Sequence, residues 1–258
     1  MKQYFHAAFS FLTILVKGKE YSHAAMQKSI YCYPFVGAVL FFLSACFSLL
    51  FQIILNNYLL SALVFLFCGC LLIRGLHHDG LADVADAFGS GKRGEEFRKI
   101  LKDSRIGSFG ALALIFYFLF GMTLISRILE INITQKNYWS FMEEMIFVGF
   151  WSRLGLLTLP FCSQIYEPQN QEFSLSKILF ENFNKSSVPA WYFFIFIFSV
   201  LCFNASLIII CTTISFLFSL PLYRLVQKEK GYNGDFLGAN CLLWELAGFL
   251  SVLLFHSL

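Results

Sequence analysis

The chain has 258 residues, of which 58% are hydrophobic and only 14% are charged, and its formal net charge is +3. This composition and a mean hydropathy of +0.68 exclude an ordinary soluble domain and indicate a polytopic membrane protein. The sequence has no basic stripe with interleaved aromatic residues, so we expect the lipid bilayer as a partner and no nucleic acid. No internal repeat or low-complexity linker divides the sequence, and we predict one domain over residues 1–258.

The N-terminal segment and the cysteines indicate neither a cleaved leader nor a covalent framework. Residues 5–16 are not followed by a small-residue cleavage site, so we expect the first membrane span to act as the insertion signal. The eight cysteines are scattered, mostly within apolar runs, where such side chains usually serve packing. We therefore predict neither a zinc site nor disulfides.

Six apolar runs are candidates for transmembrane helices, which need about 20 residues each. They cover residues 35–55, 58–73, 108–129, 144–162, 191–225 and 239–258. The run at 191–225 is too long for one ordinary span, so we predict a hairpin that turns near Asn204. The sequence thus predicts an all-α bundle of about seven transmembrane helices, with six as the alternative.

The distribution of Lys and Arg predicts the orientation, because cytoplasmic loops carry an excess of these residues. Seven spans and a cytoplasmic N-terminus place all but three of the 19 Lys and Arg residues on the cytoplasmic side. The exceptions are Arg127, Lys136 and Arg153. We therefore expect an external C-terminus and a polar site at the cytoplasmic face.

The segment 74–110 concentrates charge in an otherwise apolar chain, and charged groups at a membrane are functional candidates. Within it Asp79, Asp83 and Asp86 are spaced i, i+4 and i+7, so a helix would present all three on one face. Carboxylates so placed repel one another, and a hard cation such as Mg2+ would neutralise them and leave room for substrate phosphates. We predict a Mg2+ site on these three residues; a solvated acidic helix face is the alternative.

The second half of this segment is basic. A glycine-rich turn leads into an amphipathic stretch at 95–101 and then into the run Lys102-Asp103-Ser104-Arg105, which we predict contacts substrate. Arg105 could hold phosphate oxygens through a bidentate fork and Lys102 as a point charge. Cations beside a carboxylate-bound metal are typical of phosphoryl-transfer sites. Four other basic residues are equally well explained by substrate contact and by a role in orienting the chain in the membrane: Lys92, Arg93, Arg98 and Lys99.

Five further residues are candidates for the site. His77 and His78 precede the acidic face, where a histidine with an ordinary pKa of about 6.5 can act as general base for a hydroxyl nucleophile. Hydrogen bonding to the aspartates is the alternative role. Arg153 and Glu245 lie inside apolar runs, where structural pairing and site lining are equally expected. Asp235 follows Gly234 in a glycine-rich loop and is predicted to fold over the same site.

These motifs resemble those of the cobalamin synthase family, the adenosylcobinamide-GDP ribazoletransferases of bacteria and archaea. Members carry a GLHxDGLADxxDG stretch followed by a KDSRIGxFG stretch, and here the matching residues are Gly75-Leu76-His77, Asp79-Gly80-Leu81-Ala82-Asp83, Asp86, Lys102-Asp103-Ser104-Arg105-Ile106-Gly107 and Phe109-Gly110.

Shorter elements extend the resemblance over nearly the whole chain. An early FPLVG-like element appears as Tyr33-Pro34-Phe35-Val36-Gly37, and a late GxxGDxLGA element appears around Gly234-Asp235, followed by Glu245. Two positions depart from the family pattern. Ala87 replaces a glycine, and His78 stands where leucine is common, which favours His77 over His78 as a base.

The resemblance implies a reaction and a location. The enzyme would transfer the adenosylcobinamide phosphate moiety of adenosylcobinamide-GDP to alpha-ribazole, or to its 5'-phosphate, and release GMP in a late, Mg2+-dependent step of cobalamin biosynthesis. It would be a multi-pass protein of the bacterial cytoplasmic (inner) membrane with a cytoplasmic active site. Association with other cobalamin-assembly enzymes is a further expectation.

Two other functions compete with this one. A lipid phosphotransferase of the CDP-alcohol type also places aspartates on helices at the cytoplasmic face, but its DGxxAR pattern is not met, because no arginine follows Ala85. A transporter would place charges near mid-membrane on broken helices. Here the charges cluster at one interface.

Overall fold

The computed structural model describes residues 1–166, 175–180, 197 and 205–258. Regular structure within these residues is helical, apart from an isolated β-bridge between Ile165 and Tyr232. The predicted all-α class is confirmed. In chain order the helices are α1 (Lys2–Leu12), α2 (His23–Ser29), a 3₁₀ turn (Ile30–Cys32), α3 (Tyr33–Leu55), α4 (Tyr58–Leu72), α5 (Leu76–Gly89), α6 (Glu95–Leu101), α7 (Ser108–Thr134), α8 (Tyr138–Cys162), α9 (Leu175–Phe180), α10 (Ala205–Lys228) and α11 (Gly234–Phe255).

Five helical segments of the described chain are long and apolar enough to cross a membrane: His23–Leu55, α7, α8, α10 and α11. Helices α4 and α5 qualify only together and are bent by 93° at their junction, so the count is five or six. A multi-pass membrane protein is confirmed. Most of the first half of the predicted 191–225 hairpin lies outside the described residues, so seven spans remain a prediction.

Two transmembrane helices begin earlier than the hydropathy pattern predicts because asparagine side chains cap them. The Asn137 side chain accepts a hydrogen bond from the Ser140 amide at 3.1 Å, so α8 starts at Tyr138 and not at 144. The Asn233 side chain accepts one from the Phe236 amide at 3.3 Å, so α11 starts at Gly234 and not at 239. Side-chain caps satisfy the amides that a helix start leaves unpaired.

Small residues allow the central helices to approach closely. A Cβ atom at Gly37 of α3 would lie 2.0 Å from the carbonyl oxygen of Gly149 on α8. Close backbone contact through small residues is a common way to associate helices in a bilayer. The Asn240 side chain of α11 donates hydrogen bonds to the Gly155 carbonyl (2.7 Å) and the Thr158 hydroxyl (2.8 Å) of α8. Helix α8 is thereby fixed between α3 and α11.

Helix α5 packs antiparallel to both α7 and α11. Toward its start His77 lies against Gly238 of α11, and one turn later Gly80 lies against Asp235. Near its end, the Asp86 carboxylate of α5 accepts hydrogen bonds from the backbone amides of Gly107 and Gly110 at the start of α7. The polar helix α5 therefore lies beside the N-terminal ends of two long apolar helices.

Candidate active site

Helix α5 presents the three predicted aspartates along one face. It begins after a turn in which Arg74 and Gly75 both adopt positive φ, 55° and 67°. Asp79 is exposed, whereas Asp83 and Asp86 are half-buried. The predicted i, i+4, i+7 geometry is therefore present over two helical turns.

A fourth carboxylate, Asp235, joins this face from the first turn of α11. The Asn233 side chain donates a hydrogen bond to its Oδ2 at 2.7 Å. Asp235, Asp79 and Asp86 all lie close enough to Asp83 for their charges to act on it. The structure thus gathers four carboxylates, which we call the acidic cluster, from two segments distant in sequence.

Asp86 also has a structural role. Its Oδ2 accepts a hydrogen bond from the Gly107 amide at 2.7 Å, and its Oδ1 accepts one from the Gly110 amide at 2.8 Å. These amides belong to the start of α7, where N–H groups lack partners within the helix and favour negative charge. The Asp86 carboxylate therefore caps α7 and joins the two halves of the motif segment.

Two cavities meet at the acidic cluster. The larger cavity, of about 700 Å³, lies between the end of α1, the α4–α5 turn and the loop before α7, and is lined by Ser10, Phe11, Ile73, Arg74, Gly75, Leu76, Asp79, Ala82, Asp83, Ser104, Ile106 and Leu114. The smaller cavity, of about 220 Å³, is lined by Phe11, Leu12, Tyr33, Leu76, His77, Asp79, Leu156, Leu179, Phe180, Gly234, Asp235, Leu237 and Gly238. Asp79 lines both of them.

Within the predicted phosphate-contacting run at 102–105, Arg105 and Asp103 form an ion pair with each other. Arg105 donates to Asp103 through a fork, with Nε to Oδ1 at 3.0 Å and Nη2 to Oδ2 at 2.7 Å. These hydrogen bonds lower the pKa of the Asp103 carboxyl to about 2 and raise the pKa of Arg105. The Arg105 side chain is 87% exposed. Of this run only Ser104 lines the larger cavity, and Lys102 is exposed nearby.

The two histidines have different surroundings. His77 lines the smaller cavity, is buried, and has no hydrogen-bond partner at Nε2 among the described residues. His78 instead stacks on Phe118 at 5.4 Å between ring centroids and lies edge-on to Tyr117 at 5.1 Å. The structure therefore directs His77 to the cavity and His78 into the packing between α5 and α7.

Arg153 and Glu245 form a buried ion pair, with Arg153 Nη1 3.1 Å from Glu245 Oε2. Tyr117 donates a hydrogen bond to the same carboxylate, and the guanidinium also lies over the Phe41 ring at 5.0 Å. Neither charged residue lines either cavity at the acidic cluster. The ion pair is present, and a contact of either residue with substrate stays a prediction.

Sequence reasoning missed the part that Arg98 plays. Its Nη2 donates to the backbone carbonyls of Glu229 (2.7 Å) and Gly231 (2.8 Å), and its guanidinium lies 3.8 Å from the centre of the Tyr166 ring. Burial lowers the pKa of Arg98. It ties α6 to the turn that precedes Asp235. Its place on the apolar side of the short helix α6, next to Phe97 and Leu101, was the available sequence signal.

The carboxylate oxygens of the acidic cluster suit a hard cation, but they do not form a complete set of metal ligands. Among the described residues no group of three or more His, Cys, Asp or Glu side chains is arranged to hold a metal ion. Mg2+ does not require one, because it keeps several waters and usually binds through one or two carboxylates plus substrate phosphates. Asp79 and Asp83 both line the larger cavity and can supply such oxygens.

The chain matches the family described as cobalamin-5-phosphate synthase over residues 4–254. Three similar proteins carry the name adenosylcobinamide-GDP ribazoletransferase. The one from Prosthecochloris aestuarii is 42% identical over 45% of this chain and 46% of its own length. The one from Polaromonas sp. is 28% identical over 98% and 96%, and that from Clostridium tetani is 30% identical over 77% and 74%. No solved structure matches significantly.

Proposed function

The chain belongs to the cobalamin-5-phosphate synthase family and is a transferase of cobalamin biosynthesis, and we propose that its two substrates meet at Asp79. The donor is adenosylcobinamide-GDP, as the names of the relatives indicate, and the acceptor is alpha-ribazole or its 5'-phosphate. The observation that carries this proposal is that Asp79 lines both cavities. A two-substrate transfer needs such a junction, because holding both reactants in line lowers the barrier.

The reaction exchanges one phosphorus–oxygen bond for another. A ribose hydroxyl oxygen that is free in both acceptors, and so not the 5'-oxygen, bonds to the phosphorus nearest cobinamide, and the bond from that phosphorus to the bridging oxygen breaks. GMP leaves with the bridging oxygen, and the hydroxyl proton passes to a base. His77 is our candidate for that base, because it lines the smaller cavity beside Asp79.

We propose that Mg2+ binds at the helix face formed by Asp79, Asp83 and Asp86, and that Asp79 and Asp83, which line the larger cavity, supply its carboxylate ligands. Bound there, the ion would neutralise charge on the phosphate oxygens. The donor-set chemistry and the mutual repulsion of four carboxylates support this assignment. Asp86 additionally holds the start of α7 in place. Arg105, beside Ser104 at the cavity edge, is the proposed contact to the pyrophosphate, together with Lys102.

We place the site at the cytoplasmic face of the bacterial inner membrane. The basic residues of the loop before α6 and of α6 itself lie next to the acidic cluster in the chain, and such residues favour the cytoplasm. A donor that carries a guanine nucleotide is also available there. Association with other cobalamin-assembly enzymes stays a prediction.

Purified protein assayed with labelled adenosylcobinamide-GDP and alpha-ribazole tests this function. We expect GMP release only when both substrates and Mg2+ are present, and loss of activity with a chelator. Transfer to a diacylglycerol from a CDP-linked donor would support the lipid phosphotransferase instead. Uptake of substrate into vesicles without GMP release would support a transporter. The family match favours neither of these alternatives.

A further inference from the structure

We propose that the smaller cavity is the acceptor subsite and holds the flat aromatic base of the incoming nucleoside, while the larger cavity holds the phosphates of the donor. This assignment rests on the proposed function and adds which substrate occupies which cavity. The argument begins with the boundary between the two cavities. Phe11, Leu76 and Asp79 line both, so groups bound on either side of this boundary would be in direct reach of each other.

The walls of the smaller cavity suit an aromatic base and not a phosphate. Its apolar surface comes from Phe11 and Leu12 of α1, Leu76 of α5, Leu156 of α8, Leu179 and Phe180 of α9, and Leu237 of α11. Lys and Arg are absent from its described lining. Its volume of about 220 Å³ lies below the roughly 300–1,000 Å³ of whole-ligand pockets. It therefore fits part of a nucleoside and excludes a pyrophosphate, which would carry charge into an apolar space.

The polar atoms of the smaller cavity are those that a nucleoside could use. His77 is 4% exposed, and its Nε2 has no hydrogen-bond partner among the described residues. His77 therefore adds a polar residue to the lining, and its Nε2 is an unpaired polar atom covered by protein next to the cavity. Asp79 and Asp235 place carboxylates at the same cavity, where a ribose hydroxyl could donate to them.

The larger cavity has the opposite chemistry. It is lined by Arg74, by the hydroxyl residues Ser10 and Ser104, and by the carboxylates of Asp79 and Asp83. The Arg74 guanidinium is held in place by hydrogen bonds from Nη2 to the carbonyls of Ser10 and Thr13, both at 3.3 Å. A fixed cation, hydroxyl donors and oxygen ligands for a divalent ion together suit phosphate groups. Its volume of about 700 Å³ leaves room for them.

Phe180→Ala tests the assignment, because of these two cavities Phe180 lines the smaller one and not the larger, and it is 4% exposed. We expect the KM for alpha-ribazole to rise at least about tenfold and the KM for adenosylcobinamide-GDP to change less than about twofold. Phe116→Ala is the matched control, because Phe116 is 70% exposed on α7 and lines neither cavity. Phe180→Leu, which keeps an apolar wall, should give an intermediate KM.

Equilibrium binding to the wild-type protein gives a second readout that does not need turnover. We expect alpha-ribazole to bind with an affinity that GMP does not reduce, because the two ligands would occupy different cavities, and Phe180→Ala to weaken only alpha-ribazole. Direct competition between the two ligands, or a rise confined to the donor KM, would overturn the assignment while leaving the proposed reaction intact. A wild-type protein that neither turns over nor binds alpha-ribazole would overturn the proposed function itself.

Discussion

Gly80 on α5 lies directly against the backbone of Asp235 on α11. A Cβ atom at position 80 would be 2.7 Å from the Asp235 carbonyl oxygen and 2.9 Å from its Cα. Contacts this short are not tolerated between a side chain and a backbone, so only glycine allows the two helices to approach at this point. The contact brings the fourth carboxylate to the acidic cluster.

Gly80→Ala should therefore separate Asp235 from Asp79 and Asp83. A displacement of about 1 Å at a catalytic site can cost about 100-fold in rate, so we expect turnover to fall at least tenfold. Steady-state kinetics of the purified variant provide the measurement. Gly18→Ala is the control, because Gly18 has no neighbour within 4 Å and no positive φ. Equal activity in both variants would show that the helix approach does not matter for catalysis.

Asp83→Asn should abolish transfer while leaving membrane insertion and abundance unchanged. Asparagine keeps the size of the side chain but removes the negative charge that would bind Mg2+ and that interacts with the neighbouring carboxylates. Turnover measured against Mg2+ concentration, with protein amount measured in the membrane fraction, tests this. Glu130→Gln on the exposed part of α7 near its C-terminal end is the control for charge removal. Full activity in Asp83→Asn would refute the metal assignment.

Asp86→Ala should lower the stability of the protein as well as its activity. The carboxylate caps α7 through the Gly107 and Gly110 amides, and the loss of a cap costs about 0.5–2 kcal/mol. Asp86→Asn keeps one acceptor oxygen and should lose less stability but as much activity. Thermal unfolding in detergent separates the two effects. Asp83→Ala, which removes no such cap, should melt close to the wild type.

Arg105→Lys should weaken turnover at least about tenfold, or about 1.4 kcal/mol, and leave insertion unchanged. Lysine retains the charge but cannot form the fork that Arg105 makes with Asp103. The Asp103 carboxyl has its pKa depressed to about 2, below its ordinary value of 3.8. The ion pair between Arg105 and Asp103 is therefore fully formed above the ordinary pKa of the Asp103 carboxyl. It is lost only as the pH falls toward about 2, where Asp103 becomes protonated. The deficit should therefore stay constant between about pH 6 and pH 9. Wild-type kinetics would return Arg105 to a role in membrane orientation alone.

Reporter fusions should place the acidic cluster in the cytoplasm. A fusion after Arg93 lies in the loop between α5 and α6, whereas one after Lys136 lies in the turn between α7 and α8. At 27 residues α7 is about 40 Å long, enough to cross the roughly 30 Å apolar core of a bilayer. We expect a cytoplasmic signal from the first fusion and an external signal from the second. Reversed signals would invert the predicted topology.

The sequence alone determined the local features of this protein. Hydrophobic run lengths predicted the helical membrane architecture, and the amphipathic stretch at 95–101 became the helix Glu95–Leu101. The i, i+4, i+7 spacing placed Asp79, Asp83 and Asp86 on one helix face. Each of these properties depends on residues within a few turns of one another, so the periodicity of the chain is sufficient to predict them.

Only the tertiary structure decided how these pieces combine. The approach of Gly80 to Asp235, the capping of α7 by Asp86 and the attachment of Arg98 to the Glu229 and Gly231 carbonyls join segments far apart in the chain. The same is true of the smaller cavity, whose walls come from α1, α3, α5, α8, α9 and α11. Such contacts depend on which helices become neighbours. Side-chain packing between helices selects their arrangement, and the local periodicity of the sequence does not encode that packing.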